Sequence, residues 1–271
     1  MRPRDALFAI ALLSLAAAGC SRLTFIKANP KVKDVEYAPA YEFKQTSKGK
    51  RNEDARNYVL LAQNSLQSGQ YDQAEQKLRE ALRVDPKSAD AYVMFGVLEE
   101  QRGRGAQAGG YYAKAAELAP GDGVALNNYG AWLCGNGRAG ESLPWFDRAL
   151  ADQTYMQRAS ALANAGACAL KAGDAAHAEP NLRAALQLED DNAVALQAMA
   201  DYQYRSGRYM EARAFSERRL AAESASRESL QLAAQIEDKL GDKAAAARYV
   251  QRLKTEFPQA QAAQSGESSQ P

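Results

Sequence analysis

Reactive side chains are few in this chain. It has three cysteines, Cys20, Cys134 and Cys168, and a single histidine, His177. A metal site or a nucleophilic catalytic site needs several such groups at a fixed spacing, and no cysteine and carboxylate cluster surrounds His177. The glycines lie between helical segments instead of forming a phosphate-binding loop. We therefore predict a protein that is not an enzyme and that has no cofactor and no metal.

Cys20 closes an N-terminal segment of distinctive composition. Two early arginines precede the apolar run ALFAIALLSLAAAG, which is typical of a secretory signal and too short for an ordinary transmembrane helix. The small residues AAG before Cys20 resemble the bacterial lipobox, which implies removal of residues 1–19 and attachment of lipid, such as palmitate, to Cys20. Ser21, where inner-membrane lipoproteins of enteric bacteria have aspartate, suggests the outer membrane. A plain signal peptide with an incidental cysteine is the alternative.

The other two cysteines have a different setting. Cys134 and Cys168 both lie in apolar segments with helical spacing. This setting favours two small buried side chains. A Cys134–Cys168 bridge is the alternative, because an exported protein reaches a compartment that permits disulfides.

The composition is that of a globular, helical protein. Hydrophobic residues make up 46% and charged residues 25%, and the formal net charge is +1. Alanine is frequent and β-branched residues are few, which favours helix. No basic patch accompanies the near-zero charge, so nucleic acid is not an expected partner.

The chain repeats with a period of 34 residues. Glycines between apolar helical segments recur at this spacing, with one longer step of 36: Gly69, Gly103, Gly137, Gly173, Gly207 and Gly241. Thirty-four residues is the period of the tetratricopeptide repeat, a helix-turn-helix unit that stacks into a superhelix. We therefore predict an all-α fold, a tetratricopeptide-repeat solenoid of about six repeats.

Small and bulky residues keep their register through these units. Small residues recur at the eighth, twentieth and twenty-seventh places, and bulky ones at the fourth, seventh and twenty-fourth. In the fifth repeat the pattern drifts, since Ser216 and Arg219 replace an apolar and a small residue. The predicted domain is 55–260, between a flexible tether at 20–54 and a disordered tail at 261–271, with repeats at 55–88, 89–122, 123–156, 159–192, 193–226 and 227–260.

The first helices of such repeats line a concave groove. This position predicts a mostly apolar partner-binding set, namely Val59, Leu66, Val93, Val97, Val124, Asn127, Ala131, Ala163, Ala167, Leu170 and Tyr204. An apolar groove suits an amphipathic helix or an extended apolar segment. A clamp for a terminal carboxylate is not expected, because Arg56 is the only basic residue at the groove positions. The alternative is that these side chains pack against neighbouring helices or against the tail.

Two adjacent asparagines invite separate interpretations. Asn128 and Asn164 hold the same place in the third and fourth repeats, which indicates a structural role for Asn128. Asn127 is placed to face the groove, where it would bond to the backbone of a partner.

The chain resembles the PilF/PilW family of type IV pilus biogenesis lipoproteins. The resemblance rests on the lipobox, the six repeats and three stretches, LNNYG, DQTYMQRAS and ALQAMADYQYRSGRYMEARAF. The resemblance covers essentially the whole mature chain. It implies a pilotin, which binds subunits of the outer-membrane secretin and promotes their localisation and multimerisation, as twitching motility requires. It implies a location on the periplasmic face of the outer membrane, anchored by the lipid on Cys20.

Two other interpretations stay open. One is a tetratricopeptide scaffold lipoprotein of another periplasmic machine, such as barrel assembly, peptidoglycan remodelling or tight-adherence pili. The other is a scaffold that docks a hydrolase and activates it. The secretin segment bound, the stoichiometry and the face that binds are not defined by the resemblance.

Overall fold

A computed structural model describes residues 46–258 of the chain. The predicted signal segment, the lipidation site Cys20 and the tail at 261–271 lie outside the described residues. The described part contains twelve α-helices and no β-strand. The helices are α1 (Ser47–Gln67), α2 (Tyr71–Val84), α3 (Ala89–Gln101), α4 (Gly105–Leu118), α5 (Gly123–Gly135), α6 (Ala139–Ala151), α7 (Arg158–Lys171), α8 (Ala175–Leu188), α9 (Ala193–Arg205), α10 (Tyr209–Ala222), α11 (Arg227–Leu240) and α12 (Lys243–Glu256).

Consecutive helices pair into six helical hairpins, and each hairpin is one repeat. The prediction of an all-α tetratricopeptide-repeat superhelix is confirmed. One boundary needs correction, since α1 begins at Ser47 whereas the tether was predicted to extend to residue 54. Thr46 caps this longer helix, because its side-chain oxygen accepts a hydrogen bond from the Gly49 backbone N–H at 3.0 Å.

The hairpin turns depend on glycine conformation. All six glycines of the repeat period have a positive φ, between 69° and 83°. A Cβ added at any of them would meet no atom of a neighbouring element within 4 Å. The left-handed backbone of the turn, and not a lack of space, therefore requires glycine there.

A second group of glycines lies inside the first helices, where lack of space, and not backbone conformation, requires glycine. A Cβ at Gly166 would lie 2.6 Å from Cγ of Leu182 and 2.9 Å from the Ala178 carbonyl oxygen. Gly96 is equally constrained, since its Cβ would lie 2.4 Å from the Tyr112 ring. The small residue at the eighth place thus receives the bulky residue at the twenty-fourth place of the same repeat.

Contacts between repeats are restricted to nearest neighbours. The first helix of each repeat (α1, α3, α5, α7, α9 and α11) contacts the first helix of the next one. Each second helix contacts the first helix of the following repeat, but within residues 46–258 no second helix contacts another. The first helices therefore lie together along one surface, which we call the groove, while the second helices splay apart on the other side.

A disulfide joins the third and fourth repeats. Cys134 on α5 and Cys168 on α7 are both buried, with their Cα atoms 5.8 Å apart and their sulfur atoms bonded. The interpretation of these residues as two unlinked small side chains is therefore wrong, although their burial was expected. Helical spacing places each cysteine on a face of its own helix, but it does not report the distance between faces on two helices.

Candidate functional site

The groove holds fewer accessible side chains than the repeat positions predict. Five members of the predicted partner-binding set are buried between helices, which leaves them unavailable as contact surface: Val59, Leu66, Val93, Asn127 and Ala163. The apolar members join the packed core; for example, Val59 packs in a cluster with Leu78 and Leu98. For these five, burial favours the alternative interpretation, packing against neighbouring helices.

The other six members of the set reach the groove surface. Val124 is exposed, and the other five are partly buried: Val97, Ala131, Ala167, Leu170 and Tyr204. That these side chains contact a partner remains a prediction. Their distribution leaves a discontinuous apolar surface from the second repeat to the fifth.

The two adjacent asparagines make different hydrogen bonds. Asn127 is buried, and its Oδ1 accepts a hydrogen bond from Nδ2 of Asn164 in the next repeat at 3.1 Å. Asn128 is partly buried, and its Nδ2 donates to the Val124 carbonyl one turn earlier in its own helix, at 2.8 Å. Asn127 therefore links two repeats, and a contact between this residue and a partner stays a prediction.

The segment between the third and fourth repeats, which carries the two-residue insertion, is anchored to the start of α5. Oδ2 of Asp152 accepts a hydrogen bond from the Gly123 backbone N–H at 3.0 Å, and a Cβ on Gly123 would lie 2.4 Å from the Tyr155 ring. Tyr155 is only 4% exposed, and among the described residues its hydroxyl has no hydrogen-bond partner. Burial raises the pKa of Tyr155 to about 12. Met156 beside it is almost fully exposed.

A cavity of about 710 Å³ opens on the groove between α7, α9 and the start of α11. Its apolar lining includes Ala167, Leu170, Val194 and Ala198, so two residues of the predicted set lie in it. Gln197 adds an amide group. A cavity of this size, largely apolar with a few polar groups, has the properties of a ligand-binding site.

Charged side chains of both signs also line this cavity: Lys171, Arg205, Arg219, Asp201, Glu223 and Glu228. Nε of Arg205 lies 2.8 Å from a carboxylate oxygen of Asp201, so these two charges compensate each other. Arg219 comes from the second helix of its repeat, α10, and is buried. Sequence reasoning assigned groove residues from first helices alone and so missed this arginine, although its departure from the repeat pattern was visible.

Residues 46–258 also lack two features that other functions would require. No group of three or more histidine, cysteine or acidic side chains is arranged to hold a metal ion. In this part of the chain, every helix is too short or too polar to span a bilayer.

Comparison with known proteins supports the repeat assignment. Residues 59–123 match the family model of the tetratricopeptide repeat. The type IV pilus assembly protein PilF of Pseudomonas aeruginosa is 29% identical over 214 residues, which covers 79% of this chain and 84% of PilF.

Two solved structures are similar over nearly their full length. The crystal structure of PilW, described as a widely conserved type IV pilus biogenesis factor, aligns with a TM-score of 0.68 and 28% identity, over 76% of this chain and 95% of PilW. The Pseudomonas aeruginosa PilF structure aligns with a TM-score of 0.67 and 29% identity, over 77% of this chain and 94% of that one. The similarity therefore extends through the whole set of repeats.

Proposed function

We propose that this PilF/PilW-like tetratricopeptide-repeat protein, a type IV pilus biogenesis factor, acts as a pilotin for the secretin. In this role it binds secretin subunits and promotes their localisation and multimerisation in the outer membrane. The observation that carries the proposal is the match to PilF and PilW at 28–29% sequence identity across most of their length.

The groove supplies the proposed contact surface. Val97, Val124, Ala131, Ala167 and Leu170 present apolar atoms along the first helices, where an extended or helical segment of a secretin subunit can be laid down. Covering such a segment shields it from pairing with other unassembled subunits. Catalysis has no part in this role.

The proposed location is the periplasmic face of the outer membrane, with a lipid on Cys20 as the anchor. A single acyl chain binds a membrane only marginally, and a lipoprotein with up to three chains is held firmly. Replacing Cys20 with alanine should release the protein from the membrane fraction and abolish labelling with radioactive palmitate. Unchanged fractionation of Cys20→Ala would remove the basis for this anchor.

The secretin assembly state tests the proposed function. In a strain that lacks the gene, heat-resistant secretin multimers in the outer-membrane fraction should fall strongly, and the wild-type gene should restore them. Normal multimers in the deletion strain would refute the pilotin role. Recovery of a peptidoglycan hydrolase instead of the secretin in a pull-down would support the scaffold alternative.

A matched pair of valines tests the groove. Val124→Asp introduces a charge on the groove at a side chain that is 38% exposed, and Val250→Asp does the same on the second helix α12 at one that is 39% exposed. Both substitutions should destabilise the fold by about the same amount. Only Val124→Asp should reduce secretin multimers and co-purification of the secretin, because only this residue lies on the groove. Equal effects of the two substitutions would move the contact surface away from the groove.

A further inference from the structure

Arg219 occupies a place that holds alanine in the first four repeats. The twenty-seventh residue of the first four repeats is an alanine with 0% exposure: Ala81, Ala115, Ala149 and Ala185. In the fifth repeat this place holds Arg219, which is 8% exposed. A long cationic side chain is thus inserted where helix packing needs only a methyl group.

Arg219 is one of the residues that line the cavity between α7, α9 and α11. Its hydrogen-bond and ion-pair contacts, within the described residues, are all to Glu223. Nη2 lies 3.2 Å from a Glu223 carboxylate oxygen, and Nη1 lies 3.4 Å from the Glu223 backbone carbonyl oxygen. A guanidinium has five N–H donors, so these two contacts leave most of its hydrogen-bonding capacity unused.

The partner of Arg219 is weakly held. The side chain of Glu223 is 62% exposed, and it follows the last residue of α10. A carboxylate that is mostly exposed to solvent gives little compensation for a buried cation. The partly buried Arg213 in the same helix provides a contrast, because its Nε donates to the almost fully buried Glu237 at 2.9 Å. Arg213 therefore has a structural partner of the kind that Arg219 lacks.

We propose that this cavity is a carboxylate-binding subsite of the groove. It accepts the side chain of an aspartate or glutamate in a partner segment, and the neighbouring aliphatic residue of that segment packs against Leu170, Val194 and Ala198. Arg219 donates two parallel N–H bonds to the carboxylate, in the geometry that arginine favours. The inference rests on the proposed function for the identity of the partner, a secretin subunit, but not for the chemistry of the subsite.

The acidic residue belongs to the interior of the bound segment. The groove continues on both sides of the cavity, toward Ala131 in the third repeat and toward Gln231 in the sixth. A segment that lies along the groove therefore crosses the cavity and does not end in it. Glu223 moves aside into solvent when the carboxylate arrives, since the two anions compete for the same guanidinium.

Capped model peptides test the subsite without any secretin. The probes are acetylated and amidated peptides with a central Leu-Glu-Leu or Leu-Gln-Leu, titrated against the purified full chain in calorimetry. A third probe places the Leu-Gln-Leu sequence at a free C-terminus. The glutamate peptide should bind at least about tenfold more tightly than its glutamine counterpart, the difference expected of a charge-assisted hydrogen bond.

Three variants locate the effect. Arg219→Ala should remove the preference for glutamate while keeping or raising the melting temperature, because alanine fits this place in four other repeats. Arg218→Ala removes the same charge one residue earlier, away from the cavity, and should keep the preference. Glu223→Gln should strengthen glutamate binding several-fold, because it removes the competing carboxylate.

Equal binding of the glutamate and glutamine peptides, or a preference that survives in Arg219→Ala, would overturn the subsite. Tightest binding by the free C-terminus would overturn the interior placement. These outcomes concern peptides alone, whereas loss of the proposed function is recorded by secretin multimers in the deletion strain. Failure of one therefore leaves the other measurable.

Discussion

The disulfide between the third and fourth repeats leads to a quantitative prediction about stability. Reducing the Cys134–Cys168 bond frees two residues that are 34 positions apart in sequence. Closing a loop of this length in the unfolded chain removes conformational entropy worth about 4 kcal/mol at 25 °C. The oxidised protein should therefore be more stable than the reduced one by about this amount, less any strain relieved by reduction.

Thermal unfolding followed by circular dichroism measures the effect. For a domain of roughly 200 residues, each 1 kcal/mol shifts the melting temperature by about 2–4 °C, so reductant should lower it by roughly 8–16 °C. The paired substitutions Cys134→Ala and Cys168→Ala give the control. This variant should melt at the same temperature with and without reductant, near the value of the reduced wild type.

A redox-independent melting temperature of the wild-type protein would refute this reasoning. Peptide mapping of the unreduced protein provides a second measurement, in which the tryptic peptides that contain the two cysteines should appear as one linked species. If the linked species is found but the melting temperature does not change, breaking the bond does not increase the conformational entropy of the unfolded state or of single opened repeats.

Three further predictions concern stability in urea. Gly166→Ala should cost about 1–3 kcal/mol, because the added Cβ overlaps a side chain and a carbonyl oxygen, whereas Gly110→Ala, in open space within a helix, should stabilise by up to about 1 kcal/mol. Asn127→Ala should cost about 1–2 kcal/mol because it breaks the bond between repeats, and Asn128→Ala should change little. Burial raises the pKa of Tyr155 from the ordinary 10 to about 12. The buried protonated phenol therefore contributes stability that is complete below pH 10 and is lost as the pH rises through 12. Tyr155→Phe should lose less stability than the wild type over this pH range.

The fold was accessible from sequence because its signals are local. A glycine at a fixed place in each repeat, such as Gly207, predicts a turn by backbone conformation alone, and the structure gives all six a positive φ. The eighth and twenty-fourth places are equally local, since both belong to one hairpin. Gly96 and Tyr112 illustrate this, because they meet within the second repeat.

The candidate site was less accessible because it depends on distances between repeats. Asn127 and Asn128 are adjacent in sequence, and only the packing of α5 against α7 decides which of them meets Asn164. The disulfide has the same origin. Arg219 was missed for another reason, since its side chain is long enough to reach the cavity from a second helix.

The restriction of contacts to adjacent repeats affects how the protein opens. An array linked only through nearest neighbours unfolds by fraying, and each terminal repeat has one neighbour to hold it. Backbone amides in α12 should then exchange with solvent sooner than those in α5 and α7, which the disulfide ties together. A segment bound along several first helices would couple units that otherwise open separately. Its binding would then appear as slower hydrogen exchange in the sixth repeat, even if no atom there changed its mean position.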